Sequence, residues 1–501
     1  MLRPWKIALS VSRDSDLPIH LQIAQHIVEE IQRGRLTSRM SLPGTRELAA
    51  TLAVNRKTVV LAYDELVAQG WLRAQGRRGT FVAPALPLLS VPKISDNGSD
   101  VAPTVMQPTY ELYGTPLRQE TASPPGIIDF SDGVPDARLI PFDILGRAYR
   151  RALIAAARAN RLAYGDPRGE LPLREALANM LSMERGLNVG ANNVCVVRGS
   201  QMGIYLAARL LVRAGDYVAF ETLSYPPARD AFKAAGALTL SVAQDAWGMI
   251  PDDLERLCRR YRVKSIYLTP HHQFPTTVMM PAERRMQLLA LAEQFGFAIV
   301  EDDYDHEFHF SHRPMFPMAS VASFGRVIYV GSLSKVLAPG LRIGYIVGPP
   351  AVIERCAAEI LLIDRQGNAV TELAVADLME SGELRRHIRR AIRVYEARRN
   401  LLAQEVNRLS PTATFDLPEG GLALWLKLDP QLDMAMLVRD ALAEGVHILA
   451  GSNFVDGDRV EHGLRLGFGN LAPDELKSGI ARLQRALARQ EAFMGYHRPP
   501  F

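Results

Sequence analysis

From Ile127 onward the chain carries seven short apolar runs: NVCVV, YVAF, LTLSV, SIYL, FAIV, VIYV and YIV. Between several of them lie amphipathic stretches such as PAERRMQLLALAEQF. The runs read as strands and the stretches as helices. Their alternation implies an α/β fold, a mostly parallel sheet covered by helices. No fixed-period repeat and no GxGxxG is present, so neither a solenoid nor a dinucleotide fingerprint is supported.

The beginning of the chain has a different grammar. Leu21, Ala24, Ile27, Val28 and Ile31 repeat at helical spacing within 17–36. In LPGTRELAATLAVNRKTVVLAYDELVAQGWL, Thr45 can cap a helix with Leu48 and Leu52 inward. AVN makes a turn, and Asn55 can cap a second helix with Val59, Tyr63, Leu66 and Val67 inward. That is helix–turn–helix spacing. WLRAQGRRGTFVA then reads as two short strands about a glycine turn, a basic wing. Residues 1–82 hold 12 Lys/Arg against 7 Asp/Glu, and the remainder 46 against 47. The positive excess therefore sits on the N-terminal segment and suggests an anionic partner for it. Between the two parts, eight of the 44 residues 83–126 are proline, which resists helix and sheet interiors. The expected division is a winged helix–turn–helix over 1–82, a linker over 83–126 and an α/β body over 127–501.

At 501 residues the chain exceeds one ordinary domain, and 48% hydrophobic with 22% charged residues is a globular composition. No run of 18 apolar residues marks a membrane span, and the first residues lack a signal-peptide pattern, so a cytoplasmic location is expected. Cys195, Cys258 and Cys356 are scattered and show no CxxC, which argues against disulfides and cysteine-based zinc sites. His306, His309 and His312, with His271 and His272, do not have a convergent ligand spacing, so no metal is expected.

In an open α/β sheet, ligands gather beyond the carboxyl ends of strands. FAIVEDDYDHEF places Asp302 and Tyr304 at one such end, VAFETLSYPPARD places Tyr225 at another, and VIYVGSLSK delivers Lys335. VVRGSQMGIYLAARLL sets Gly199, Ser200 and Gln201 at a helix start. Taken singly, each has an ordinary explanation as a surface charge or a cap. Together they answer one chemical demand. A lysine amine can form an imine with an aldehyde cofactor. A carboxylate facing a pyridine nitrogen makes the ring an electron sink. A phenol can bond the ring's 3-oxygen, and helix amides, serines and an arginine can hold a phosphate. That cofactor is pyridoxal 5′-phosphate (PLP).

YGDPRGELPLREALANML, GSQMGIYL, SYPP, TPHHQFPT, EDDYDHEF, SLSKVLAPGLRIGY and LRLGFGN follow one another in the order found in fold-type I aminotransferases, which the body resembles. Residues 17–82 resemble the winged helix–turn–helix of GntR-type regulators, and the fusion resembles the MocR subfamily. The resemblance implies Lys335 as the Schiff-base lysine, Asp302 as the partner of the pyridine nitrogen and Tyr304 as that of the 3-oxygen. It implies Tyr225 stacked on the ring, and Ser200, Gln201, Ser332 and Arg342 on the phosphate. It further implies Tyr164 reaching the phosphate of a second subunit, hence a homodimer, and Arg465 holding a ligand carboxylate. Two positions depart from the pattern. Phe274 to Thr277, FPTT, stand where aminotransferases commonly have Asn-Pro-Thr-Gly, and His306 stands where these regulators often have serine.

A recognition helix presents its N-terminal residues to base edges, here Asn55, Arg56, Lys57 and Thr58. The GntR resemblance makes Arg46 and Arg56 the leading DNA contacts, and Arg77 and Arg78 beside Gly79 suit a wing tip. The expected function is a PLP-dependent regulator that binds double-stranded operator DNA and senses an amine, an amino acid or PLP itself. An active aminotransferase with an appended DNA-binding module is the alternative.

Overall fold

The computed structural model describes residues 9–13, 15, 17–86, 111, 126–131, 133–310, 315–321, 325–409 and 413–495, without the side chains of Arg77 and 491–495. The chain forms two compact units, Met1–Glu111 and Leu112–Phe501. Most of the expected linker 83–126, and His312, lie outside the described residues.

The first unit contains α1 (Ile19–Gln32), α2 (Thr45–Thr51), α3 (Arg56–Ala68), β1 (Leu72–Ala74) and β2 (Thr80–Val82). Ile23, Ile27 and Ile31 recur every four residues and bury one face of α1 against Val59, Ala62 and Leu66 of α3. The α2 cap is Gly44 rather than Thr45, which is already helical and makes no side-chain cap bond. Asn55 does cap α3, its side chain accepting from Lys57 N at 2.9 Å. Tyr63 Oη donates to the Pro43 carbonyl at 3.0 Å and ties α3 to the segment before α2. β1 and β2 pair antiparallel, Leu72 opposite Val82, around a 3₁₀ turn at Gly76–Arg78.

In the second unit α4 (Phe142–Arg158) and α5 (Leu171–Arg185) precede the main sheet. Its strands are β3 (Val194–Val197), β4 (Tyr217–Glu221), β5 (Leu238–Val242), β6 (Val263–Leu268), β7 (Ala298–Asp303), β8 (Val327–Ser332) and β9 (Gly344–Val347). The spatial order is β3-β9-β8-β7-β6-β4-β5. All seven expected runs are strands of this sheet. β3, β8 and β9 are buried at every residue, as a sheet covered on both faces requires.

β9 runs antiparallel to both neighbours, whereas β5-β4-β6-β7-β8 are mutually parallel. The eleven residues between β8 and β9 are too few for the usual crossover helix, so the chain turns straight back. α6 (Gly199–Leu211) follows β3, and α7 (Pro226–Ala234) follows β4. Past β9 come α8 (Pro350–Ile363), α9 (Ala369–Glu380) and the long α10 (Glu383–Val406). α10 leads to a small antiparallel sheet of β10 (Thr414–Phe415), β11 (Ala423–Lys427), β12 (Leu449–Ala450) and β13 (Gly463–Gly467), in the order β10-β11-β13-β12. This sheet has its own core, with Tyr395, Leu402, Leu424, Leu464 and Leu466 buried. Among the described residues no helix is long and apolar enough to cross a membrane.

Candidate cofactor site and DNA-reading helix

Three adjacent strand ends build the centre of the body. β7 carries Asp302 within its last two residues, and Tyr304 follows directly. β8 ends at Ser332, three residues before Lys335. β6 lies on the other side of β7, with Tyr267 opposite Val300. From there Tyr267 Oη donates to Asp302 Oδ2 at 2.6 Å. The other oxygen, Asp302 Oδ1, is buried without a hydrogen-bond partner. Burial pushes the Asp302 carboxyl up to about 7; Tyr267 and Lys335 oppose that shift, and Asp303 and Asp305 add to it. A buried acceptor with one committed oxygen and one vacant one calls for a donor or cation, and a protonated pyridine nitrogen supplies it.

Lys335 Nζ donates to the Gly133 carbonyl at 3.0 Å. Tyr304 Oη donates to the His272 carbonyl at 3.1 Å, and burial raises its phenol well above the usual range. Arg465 rises from β13 and is 3% exposed. Its Nη1 donates to the Pro275 carbonyl at 3.1 Å, while Nε has no partner. Phe274 lies under the guanidinium at 4.4 Å, and Tyr225, which caps α7, meets Phe274 edge-on at 5.0 Å. Phe274, at the departure from the asparagine pattern, is therefore the aromatic floor of the arginine.

The start of α6 forms the second part of the site. Gly199 takes φ +74°, and a Cβ there would lie 2.8 Å from Arg342 Nη2. Gly344 on β9 approaches from the other side, where a Cβ would stand 2.6 Å from the Gly199 carbonyl carbon. Gly344 must be glycine because its Cβ would run into backbone, and Gly199 is favoured by its positive φ. Arg342 itself is in the left-handed region at φ 53°, and its Nη2 donates to the Arg198 carbonyl at 3.0 Å. Ser332 Oγ accepts from Ser334 N at 3.1 Å, and Ser334 Oγ is buried without a partner. Gln201 Nε2 donates to the Pro227 carbonyl at 2.9 Å, so its amide is engaged with α7; Ser200 is half-buried beside it. A cavity of about 250 Å³ opens beside Arg342, lined by Arg198, Asp364, Thr371 and Glu372 among others. Tyr164 is 78% exposed and stacks under Arg365 at 4.5 Å.

Behind the site, His271 stacks on His306 at 4.7 Å, and His306 Nδ1 bonds Asp303 at 2.7 Å. Asp303 also accepts from Tyr329 Oη at 2.5 Å and lies 3.6 Å from the buried Arg185. Burial opposes its ionisation, but His306 and Arg185 hold it well below the usual carboxylate range. His306 thus belongs to a buried ionic network. Among the described residues no three His, Cys, Asp or Glu side chains form a group that could hold a metal.

Residue types and spacing did not single out Tyr267, Gly133, Arg185 or Gly344. Tyr267 sits inside an apolar run, and only the strand register brings it to Asp302.

In the first unit, Arg46, Asn55, Arg56 and Lys57 are exposed at the α2 and α3 starts, and Thr58 is half-buried. Arg56 Nε donates to Thr45 Oγ1 at 3.4 Å, which fixes one helix start against the other. Arg78 is exposed at the wing turn; the Arg77 side chain lies outside the described residues.

Comparison with known proteins bears on both units. Residues 126–483 match the family described as aminotransferase class I and II, and residues 19–82 match bacterial regulatory proteins of the gntR family. The chain is 31% identical over 487 residues to a probable rhizopine catabolism regulatory protein, MocR, of Rhizobium meliloti, covering 97% of each. It is 29% identical to the pyridoxine biosynthesis transcriptional regulator PdxR of Corynebacterium glutamicum, over 97% of this chain and all of that one. The body resembles the crystal structure of LysN, an α-aminoadipate aminotransferase from Thermus thermophilus complexed with N-(5′-phosphopyridoxyl)-L-leucine. The TM-score is 0.68 and the identity 30%, covering 74% of this chain and 94% of LysN. With a gntR-family unit at one end and an aminotransferase class I and II body at the other, the chain belongs to the MocR-type GntR transcription regulators.

Proposed function

We propose that this regulator holds PLP in its body and works as a cytoplasmic homodimer that binds operator DNA according to the amine or amino acid bound at the PLP site. The observation that carries the reading is the Asp302 carboxylate, fixed through one oxygen by Tyr267 and vacant at the other, within the cluster that includes Lys335 and Tyr304. PLP, when bound, supplies an aldehyde that takes up amines and a ring that accepts electrons. Asp302 would hold the ring nitrogen, Tyr304 the 3-oxygen and Tyr225 the ring face. The α6 amides, Ser200, Gln201, Ser332 and Arg342 would hold the phosphate, and Lys335 would carry the amine. Arg465 would anchor a carboxylate through its planar fork.

For an effector to regulate, it must favour one DNA-relevant state over another. Tyr164, implied at the phosphate of a second subunit, motivates the dimer. The division at 82 and 126 would leave a 44-residue proline-rich tether, at most roughly 150 Å when extended. Two tethered reading units should hold two half-sites far more tightly than one.

Arg465, with Nε unpartnered beside the same cluster, favours a second reading in which the body also turns over amino acids. Visible spectra of the purified protein titrated with candidate amines decide between the two. A spectral shift that alters DNA affinity without turnover supports the sensor. Sustained conversion with an added keto acid supports the enzyme, and a protein with no bound chromophore after incubation with PLP rejects both.

A further inference from the structure

We infer that the aminotransferase-like body carries its own DNA-phosphate-binding face, formed by the exposed arginines of α10. The sequence ELRRHIRRAIRVYEARR places Arg385, Arg386, Arg389, Arg390 and Arg393 within nine residues, and all five are exposed. The opposite face, with Leu384, His387, Ala391 and Tyr395, is buried. At 1.5 Å per residue the five span about 12 Å of helix. That is the axial length of about three to four phosphates along one DNA strand.

The use of these arginines separates them from structural ones on the same helix. Arg398 is buried, with Nη2 on Asp136 at 2.6 Å, and Arg399 is buried with Nη1 on the Pro418 carbonyl at 3.0 Å. Among the exposed five, Arg385 pairs with Glu184 and Arg386 with Glu383, both at 2.7 Å. Among the described residues Arg389, Arg390 and Arg393 make no salt bridge within 4.0 Å, although Arg390 lies in the field of Glu383; Arg389 Nε reaches only the Arg385 carbonyl at 3.4 Å. Arg386 and Arg390, and Arg389 and Arg393, are like charges four residues apart, an arrangement that destabilises a helix on its own. The residues beyond 82 total 46 Lys/Arg against 47 Asp/Glu, so the stripe is a local concentration on a near-neutral body.

A polyanion offsets that repulsion, and arginine forks match phosphate oxygens. The apolar side of α10 is packed inward, so the helix has no face to insert into a lipid layer. The chain already belongs to a DNA-binding family, which makes the duplex backbone the polyanion in reach. Contacts of this kind position and strengthen binding without reading sequence.

The test uses the full-length protein and a 60-base-pair duplex of random sequence. The variant is R389Q/R390Q/R393Q, with R389K/R390K/R393K as the charge-keeping control. The slope of log K against log salt should fall in magnitude by about 2–3 in the glutamine variant, near 0.9 per phosphate released. The lysine variant should keep most of the slope, and melting and sedimentation of both should match the parent. An unchanged slope in the glutamine variant overturns the inference, including the case in which binding to anionic vesicles is lost instead. An equal loss in the lysine variant overturns it as well, because charge would then not be the cause.

Discussion

Tyr267 and Asp302, on neighbouring strands, share a hydrogen bond of 2.6 Å that leaves Asp302 Oδ1 free of protein partners. A bond to a charged group contributes about 1.5–3 kcal/mol. Tyr267→Phe should therefore weaken PLP binding roughly 10- to 150-fold, because Asp302 loses its fixed orientation. Fluorescence or absorbance titration with PLP measures this, with melting as the check on folding. Affinity equal to the parent would show that Tyr267 does not position the carboxylate.

Lys335→Ala should abolish covalent retention of PLP. After borohydride reduction and denaturation, mass spectrometry of the parent should show one added phosphopyridoxyl group per chain, on Lys335. The alanine variant should show none, with its fold retained, since Lys335 is only partly buried. A reduced adduct on another lysine would remove Lys335 from its assigned role.

Arg56→Ala removes an exposed guanidinium from the start of α3. One bidentate base contact is worth about 1–3 kcal/mol, so specific DNA affinity should fall roughly 5- to 150-fold. The PLP absorption should not change. Gel-shift titrations at fixed salt read the effect, and undiminished affinity would exclude this residue from the DNA contacts.

Glu221 makes stability depend on pH. Burial pushes its carboxyl up to about 7, against an ordinary value of 4.5, although Gln273 Nε2 donates to it at 3.1 Å. The folded chain keeps this proton where the unfolded chain has lost it. The contribution is therefore complete below about 4.5 and disappears as pH rises to about 7, a change on the order of 3 kcal/mol. Glu221→Gln should flatten this part of the profile. Denaturant unfolding at pH 5 and pH 8 should show the parent losing more stability than the variant over that interval. Equal losses would place the titration elsewhere.

Much of this architecture was legible because its signals are local. NVCVV and VIYV are apolar at consecutive positions, as doubly covered strands must be, and Asn55 stands one residue before a periodic run. EDDYDHEF and GSLSK put polar residues directly after such runs, so the strand ends announced themselves. The Thr45 cap failed because Gly44 could adopt the extended cap conformation, and Thr45 entered the helix. Tyr267 was hidden because a tyrosine within SIYL has the signature of core packing, and its hydroxyl partner is set by pairing across strands. The Arg185–Asp303 contact joins positions 118 residues apart, and Gly133 acts through its carbonyl, which carries no side-chain signal at all. His306 was visible as a departure and as one of a run of histidines; its bond to Asp303 assigns it to the buried network.

The meeting of Gly199 and Gly344 also bears on inheritance. The two glycines are 145 positions apart, yet a side chain on Gly344 would run into the Gly199–Ser200 backbone, and Gly199 holds a positive φ. The loop after β3 and the hairpin from β8 to β9 are thus a single heritable part written in two separate pieces of gene. Recombination that exchanges either piece between distant relatives, or a laboratory graft of the lysine loop alone, should yield a mismatched seam. A transplant that carries both pieces together should preserve it.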